Sequence, residues 1–186
     1  MTIHIKNMVC NRCISAVENV FRNSEIDVVS VNLGWVETSA EISKNQLEKL
    51  NKNLKKIGFE ILEDASQKQI ESIKKLILEK VQNLDINEDF LLSKYLSEKL
   101  NKEYSSISKV FSQTENITLE QYFILQKIEK VKELLIYREL TLSQIADKLG
   151  YKTVQHLSQQ FKKITGFSPS QFQELKEKKR FPIDLI

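Results

Sequence analysis

The chain has 186 residues, 41% hydrophobic and 28% charged, which is enough apolar surface to bury a core and argues against disorder as the main state. Four Gly and two Pro exclude a collagen-like or turn-dense all-β chain, no apolar run reaches the ~18 residues of a membrane span, and the start, MTIHIKNMVC, lacks the order of a secretory signal, so the expected location is cytoplasmic. The net charge of +3 divides into −1 for residues 1–66 (8 Lys+Arg, 9 Asp+Glu) and +4 for residues 67–186 (20 and 16), a mild basic bias that does not establish a nucleic-acid partner by itself.

In chain order, Ile3 and Ile5 alternate with polar neighbours as in a half-buried strand. Ile14, Val17, Val20 and Phe21 then follow at helical spacing. Val29, Val31 and Leu33 repeat at period two, Gly34 breaks the run, and Val36, Thr38, Ala40 and Ile42 alternate again. These two runs are expected to pair antiparallel. Leu47, Leu50, Leu54 and Ile57 predict an amphipathic helix closed by Gly58. Phe59 and Ile61 predict a last short strand. The order is β-α-β-β-α-β, the split βαβ or ferredoxin-like arrangement, over residues 1–64.

From Ser66 onward the strand signals stop, and Glu63 to Gln67 is the expected boundary. Ile70, Ile73, Ile77 and Val81 mark a helix, Asp85 to Asp89 a polar break, and Phe90, Leu92, Tyr95, Leu96 and Leu100 a second helix. Ile107, Phe111 and Thr114 predict a third helix, Leu125, Ile128, Val131 and Leu135 a long fourth, and three more follow. Thr118 to Gln121 and Thr141 to Gln144 fit the capping box. Ser168-Pro169-Ser170-Gln171 adds Pro at the first helical position. The expected class is α+β: a ferredoxin-like domain followed by an all-α domain over residues 65–180.

Both cysteines lie in one C-x-x-C, Cys10 and Cys13, between the first strand and the first helix. In a reducing compartment this spacing points to a metal clip or a redox dithiol. A helix N-terminus favours thiolate. Two thiolates without imidazole or carboxylate suit a soft ion of low coordination number such as Cu(I). A structural zinc site needs four ligands, which one chain with two Cys and two separated His does not supply. His4 is expected at the surface.

The run Met8-Val9-Cys10-Asn11-Arg12-Cys13 resembles the M-x-C-x-x-C loop of heavy-metal-associated (HMA) domains of copper chaperones and copper-transporting ATPases. The resemblance covers about residues 1–64. It implies Cys10 and Cys13 as ligands of Cu(I) or another soft thiophilic ion, and Met8 as a packing residue. Asn7 stands where that family commonly has Gly, and Arg12 adds a cation beside the thiols. A domain kept for docking or dimerisation, and a redox dithiol, are the other readings of this segment.

Further on, Leu142 to Gly150 reads as the first helix of a helix-turn-helix, with Ile145 and Leu149 inward and Gly150 at the turn. Thr153 opens the next helix, where Leu157, Phe161 and Ile164 are expected to share the buried face. The opposite face carries Gln155, Gln159 and Lys162, flanked by His156 and Lys163. Gln can read an adenine edge through two hydrogen bonds and Lys can reach phosphates, the chemistry of a major-groove helix. The stretch Ser143 to Phe172 resembles the signature of AraC/XylS-type transcription regulators. That resemblance covers roughly residues 68–178 and implies two helix-turn-helix units, about 90–115 and 141–166, joined by a long helix over 119–137. In the upstream unit Asn101 replaces the usual turn Gly, and the outward face offers Ser105, Lys109, Ser112 and Gln113. Ser105 and Lys109 are its candidate DNA contacts. The basic run Lys176 to Arg180 could add phosphate contacts.

The expected function is a DNA-binding transcription regulator with a metal-sensing N-terminal domain. The alternative is a copper chaperone whose helical half is an interaction module. The expected partners are double-stranded DNA, a metal ion as effector and a second copy of the chain, without a membrane. No cofactor is required for DNA binding. No phosphate loop or nucleophile–base pair points to an enzyme.

Overall fold

A computed structural model of the chain describes residues 1–62 and 64–175. Glu63, at the expected boundary, and the basic run Lys176 to Arg180 lie outside the described residues. Two compact units divide the chain, Met1–Lys75 and Leu76–Ile186. The first holds a small antiparallel sheet with helices and the second is helical, a mixed α+β protein.

The first unit runs β1 (Thr2–Lys6), α1 (Asn11–Asn23), β2 (Val28–Asn32), β3 (Trp35–Thr38), α2 (Lys44–Lys55) and β4 (Glu60–Leu62). The strand order is β2-β3-β1-β4, with Ile3 opposite Val36, Ile5 opposite Ile61 and Val31 opposite Val36. Ile3, Ile5, Val36 and Ile61 form one core with Val17 and Phe21 of α1 and Leu50 and Leu54 of α2. Each such side chain contributes roughly 1.5–3 kcal/mol by leaving water, so the alternation in the strands and the spacing in the helices serve one interior.

A few side chains depart from the periodicity. Val29 is 65% exposed, because the β2–β3 register shifts between Val28 and Ser30. A bulge adds one residue and reverses the alternation beyond it, so Val28 and Val31 pack inward in its place. β3 ends at Thr38, whose hydroxyl donates to the Ala40 carbonyl at 2.7 Å; the expected continuation through Ala40 and Ile42 is irregular chain. Ile57 lies beyond the end of α2 and is exposed. In the second unit Thr114 is exposed, its hydroxyl donating back to the Val110 carbonyl at 3.0 Å. α2 also opens on a capping box, Ser43 with Gln46.

α3 (Ala65–Gln82) begins where the strand signals stop, and the division between the units falls inside it. The second unit continues with α4 (Leu92–Leu100), α5 (Tyr104–Glu115), α6 (Leu119–Tyr137), α7 (Leu142–Lys148), α8 (Val154–Thr165) and α9 (Pro169–Glu174). The capping boxes at Thr118, Thr141 and Ser168 all form. Each gives two orphan N–H groups a partner and fixes a helix start. Leu96, Ile107, Phe111, Leu119 and Tyr122 are buried around α4 and α5, with the Phe111 and Tyr122 rings 5.3 Å apart. Ile128, Val131, Leu135, Ile145, Leu149, Leu157, Phe161 and Phe172 form the core around α7, α8 and α9.

The expected polar break at Asp85 to Asp89 hides a packing residue. Ile86 is buried and bridges to Leu149, its N–H donating to the Lys148 carbonyl at 3.1 Å. Gly150 faces this segment with φ +69, and a Cβ there would lie 2.7 Å from Ile86 Cγ2 and 2.8 Å from the Asn87 carbonyl. Both the left-handed backbone and the close approach require glycine.

Candidate nucleic-acid interface and dithiol loop

α7 and α8 form the second helix-turn-helix. Thr153 caps α8 by accepting the His156 N–H at 3.1 Å. Leu157 and Phe161 are fully buried, which turns Gln155, His156, Gln159, Lys162 and Lys163 outward; all five are exposed. Gln155, Gln159 and Lys162 recur at spacing four and three on one stripe. Ile164, expected on the buried face, is instead partly exposed and lines a groove of about 340 Å³ with Ile117, Ile124 and Leu125. α8 ends on Lys162 and Lys163, cations where the helix carbonyls are unsatisfied.

α4 and α5 form the upstream unit. Asn101 takes the left-handed conformation, φ 49 and ψ 48, as asparagine tolerates. Ser105, Lys109 and Gln113 are exposed along α5, and Ser112 is half-buried. The N-cap of α5 is Glu103, whose side chain makes no capping bond. An exposed carboxylate at the helix start opposes a phosphate there, so α5 is a poorer docking element than α8. Tyr104 ties its first turn to α6: the hydroxyl donates to Glu120 Oε1 at 2.5 Å. Burial and this bond raise the Tyr104 hydroxyl above the usual tyrosine value, and the bond, outweighing burial, holds the Glu120 carboxyl below its own.

A family described as a helix-turn-helix domain matches residues 96–175. Among curated relatives, the probable transcriptional regulator LumQ of Photobacterium leiognathi is 28% identical over 96 residues, 45% of this chain and 39% of that one. The Msm operon regulatory protein of Streptococcus mutans is 27% identical over 79 residues, 42% of this chain and 28% of that one. Residues 96–175 form an AraC-type helix-turn-helix domain. The chain thus spans less than half the length of these relatives. Among solved structures, the C-terminal domain of the two-component response regulator YesN from Fusobacterium nucleatum is 30% identical and is covered over 99% of its length by 55% of this chain, with a TM-score of 0.48.

The AraC-type domain is organised by α6, whose middle is buried all round, including Gln126, Lys127, Glu129 and Lys132. Glu129 and Lys132 pair with each other. Lys127 is the residue the sequence did not single out. Its Nζ donates to the Leu149 carbonyl at 3.1 Å and lies 3.9 Å from the Tyr151 ring centroid and 5.3 Å from that of Phe123. Burial lowers its ammonium to about 8. The available signal was position: Lys127 stands three residues after Ile124 and four before Val131, on an apolar stripe. Tyr151 in turn donates to Gln160 Oε1 at 2.7 Å and meets the His156 ring edge-on at 5.5 Å.

In the first unit Cys10 is the N-cap of α1 and its thiol makes no capping bond. Cys10 Sγ and Cys13 Sγ stand 3.5 Å apart, both half-buried and both free thiols. The loop is held by Asn7, at φ 69, whose Nδ2 donates to the Gly58 carbonyl at 2.9 Å and whose N–H donates to Glu71 Oε2 at 3.2 Å. Asparagine tolerates this left-handed position better than most residues. Met8 is buried. The two thiols differ. Burial works to raise Cys10, but the Cys13 N–H and thiol, the Arg12 N–H and the Arg12 charge outweigh it, and Cys10 falls below the usual thiol value. Burial, reinforced by the charge of Cys10, raises Cys13. His4 is half-buried, and burial and Lys68 lower its imidazole. No third His, Cys, Asp or Glu joins the thiols among the described residues. This donor set fits a soft ion of low coordination number better than a four-ligand zinc site.

Proposed function

We propose that the chain is a sequence-selective, DNA-binding transcription regulator whose helix α8 reads bases in the major groove. The observation that carries this reading is the exposed stripe of Gln155, Gln159 and Lys162 opposite the buried Leu157 and Phe161, within a matched helix-turn-helix domain. His156 and Lys163 flank the stripe and supply phosphate contacts. α5 contributes mainly backbone contacts, through Ser105 and Lys109. The likeness to LumQ, a probable transcriptional regulator, and to the Msm operon regulatory protein supports the same role. Selection of duplexes from a random pool at several salt concentrations tests it. A recovered consensus whose binding exceeds that of a shuffled duplex is the expected result; equal, purely salt-dependent binding of both overturns it.

For the first unit we infer an HMA-like, ferredoxin-type domain that binds one soft ion, Cu(I) by preference, through Cys10 and Cys13, with the ion as effector. The element order, the strand order β2-β3-β1-β4 and the buried Met8 support it. If the ion is an effector, coupling is reciprocal: the selected duplex must change Cu(I) affinity by the factor by which Cu(I) changes DNA affinity. Titrating each ligand with and without the other, on wild type and on Cys10→Ser/Cys13→Ser, measures both. No shift in either direction removes the effector role.

A further inference from the structure

We propose that Lys127 is a positioning residue for base reading: its buried ammonium fixes the turn after α7 and thereby the orientation of α8. The inference rests on α8 being the reading helix. Lys148 and Leu149 end α7 with carbonyls that have no helical N–H to accept. The Lys148 carbonyl accepts the Ile86 N–H, and the Leu149 carbonyl accepts Lys127 Nζ. The turn is therefore gripped on two sides, by the chain before α4 and by the joining helix α6. Two residues further on, the same ammonium lies against the face of Tyr151, at cation–π distance. Tyr151 reaches into α8 twice, through its hydroxyl to Gln160 and through its ring to His156. Gln160 is the immediate neighbour of the reading residue Gln159, and His156 of Gln155.

The choice of residue carries the rest of the argument. A buried charge is a poor means of stabilising a fold, since an apolar side chain of similar volume is often as good or better. Lysine does here what methionine cannot. It donates to a carbonyl and holds a ring face at once, so it defines a direction as well as filling a volume. A pair of hydrogen bonds to one base edge tolerates little rotation of the helix that bears it. Contacts to phosphates are more forgiving, and they set affinity without sequence.

The test uses the full-length protein and two duplexes: the sequence recovered by selection with wild type, and a shuffled duplex of the same composition. The quantity read is the ratio of their dissociation constants. Lys127→Met is expected to reduce that ratio by about tenfold or more, the size of one bidentate base contact. Binding of the shuffled duplex and its salt slope should stay unchanged. Lys127→Arg, which keeps the cation and the donor, should retain most of the ratio. A wild-type ratio in Lys127→Met overturns the proposal, as does an equal loss in Lys127→Arg. If Lys127→Met does not fold, Tyr151→Phe decides: it keeps the ring and removes the bond to Gln160, and an unchanged ratio then overturns the proposal. A wild-type protein that prefers no duplex at all overturns the reading of α8 itself.

Discussion

Raising the pH from 7 to 10 should stabilise the helical unit, because Lys127 is charged at a site that burial makes unfavourable for charge. Its ammonium titrates at about 8 in the folded chain and at the ordinary 10.5 when unfolded. Between those values the unfolded chain binds more protons, so unfolding becomes harder as pH rises. Below 8 both states are charged and this contribution is flat. The gap corresponds to roughly 3 kcal/mol at about 1.36 kcal/mol per pH unit, of which about 2.5 kcal/mol is gained between pH 7 and pH 10. Above about pH 10 the sign reverses: burial raises the Tyr151 hydroxyl, so the unfolded chain ionises first and stability falls. The assay is urea unfolding across that range for wild type and Lys127→Met. Helix circular dichroism follows mainly the second unit, and fluorescence of Trp35, the one tryptophan, follows the first. The stability of wild type relative to Lys127→Met should climb by about 2.5 kcal/mol in the helix signal and stay level in the tryptophan signal. Parallel pH profiles for the two proteins refute the reasoning.

Gln159→Ala should relax preference at one or two base pairs by roughly 1–3 kcal/mol, whereas Lys162→Ala should weaken all duplexes alike and flatten the salt slope; selective binding that survives both unchanged shows that α8 is not the reader. Cys10→Ser or Cys13→Ser should lower Cu(I) affinity by orders of magnitude, because a hydroxyl is a hard and poorly ionised donor, while Met8→Leu keeps binding and costs little stability; anaerobic titration of the double serine variant, if it retains the ion equally, removes the site. Gly150→Ala should destabilise the helical unit by about 2–4 kcal/mol, from the left-handed backbone and the clash with Ile86 and Asn87. Gly166→Ala, at φ +83 with open space around it, should cost only about 1 kcal/mol, and equal melting shifts for the two would contradict the role given to Ile86.

What the sequence made legible was local. A capping box needs only a hydroxyl and a glutamine three residues apart, so Thr118, Thr141 and Ser168 announced their helices. The helix face of α8 was equally plain, because Leu157 and Phe161 fix the phase of everything between them. What failed depended on another element. Val29 lies on the wrong face because of a bulge that arises only in the pairing of β2 with β3. Ile86 sits among Asp85, Asn87, Glu88 and Asp89, and its partner Leu149 is far along the chain. Lys127 reads as a solvated cation until α7 and Tyr151 close over it. The two cysteines look equivalent at i and i+3. Their divergence follows from how deeply each is buried and from the hydrogen bonds of Cys13 and of the Arg12 N–H, which favour the Cys10 thiolate more than the Arg12 charge does.

The grip of Ile86 on the turn bears on where this protein can be cut. The matched helix-turn-helix domain starts at residue 96, and a fragment trimmed to that limit looks complete on paper, with both reading helices and the joining helix. It would nevertheless lack the strip of chain that covers Gly150, bridges to Leu149 and donates to the Lys148 carbonyl. The side chain of Ile86 alone removes enough apolar surface to matter by about 2–3 kcal/mol, and Val81 of α3 belongs to the same interior. A truncation at 96 therefore removes the start of α4 (Leu92–Leu100) and also loosens the downstream unit, the one proposed to read bases. The compact unit itself begins at Leu76, inside α3: the border of a recognisable family segment and the border of the compact unit that packs around it lie some twenty residues apart.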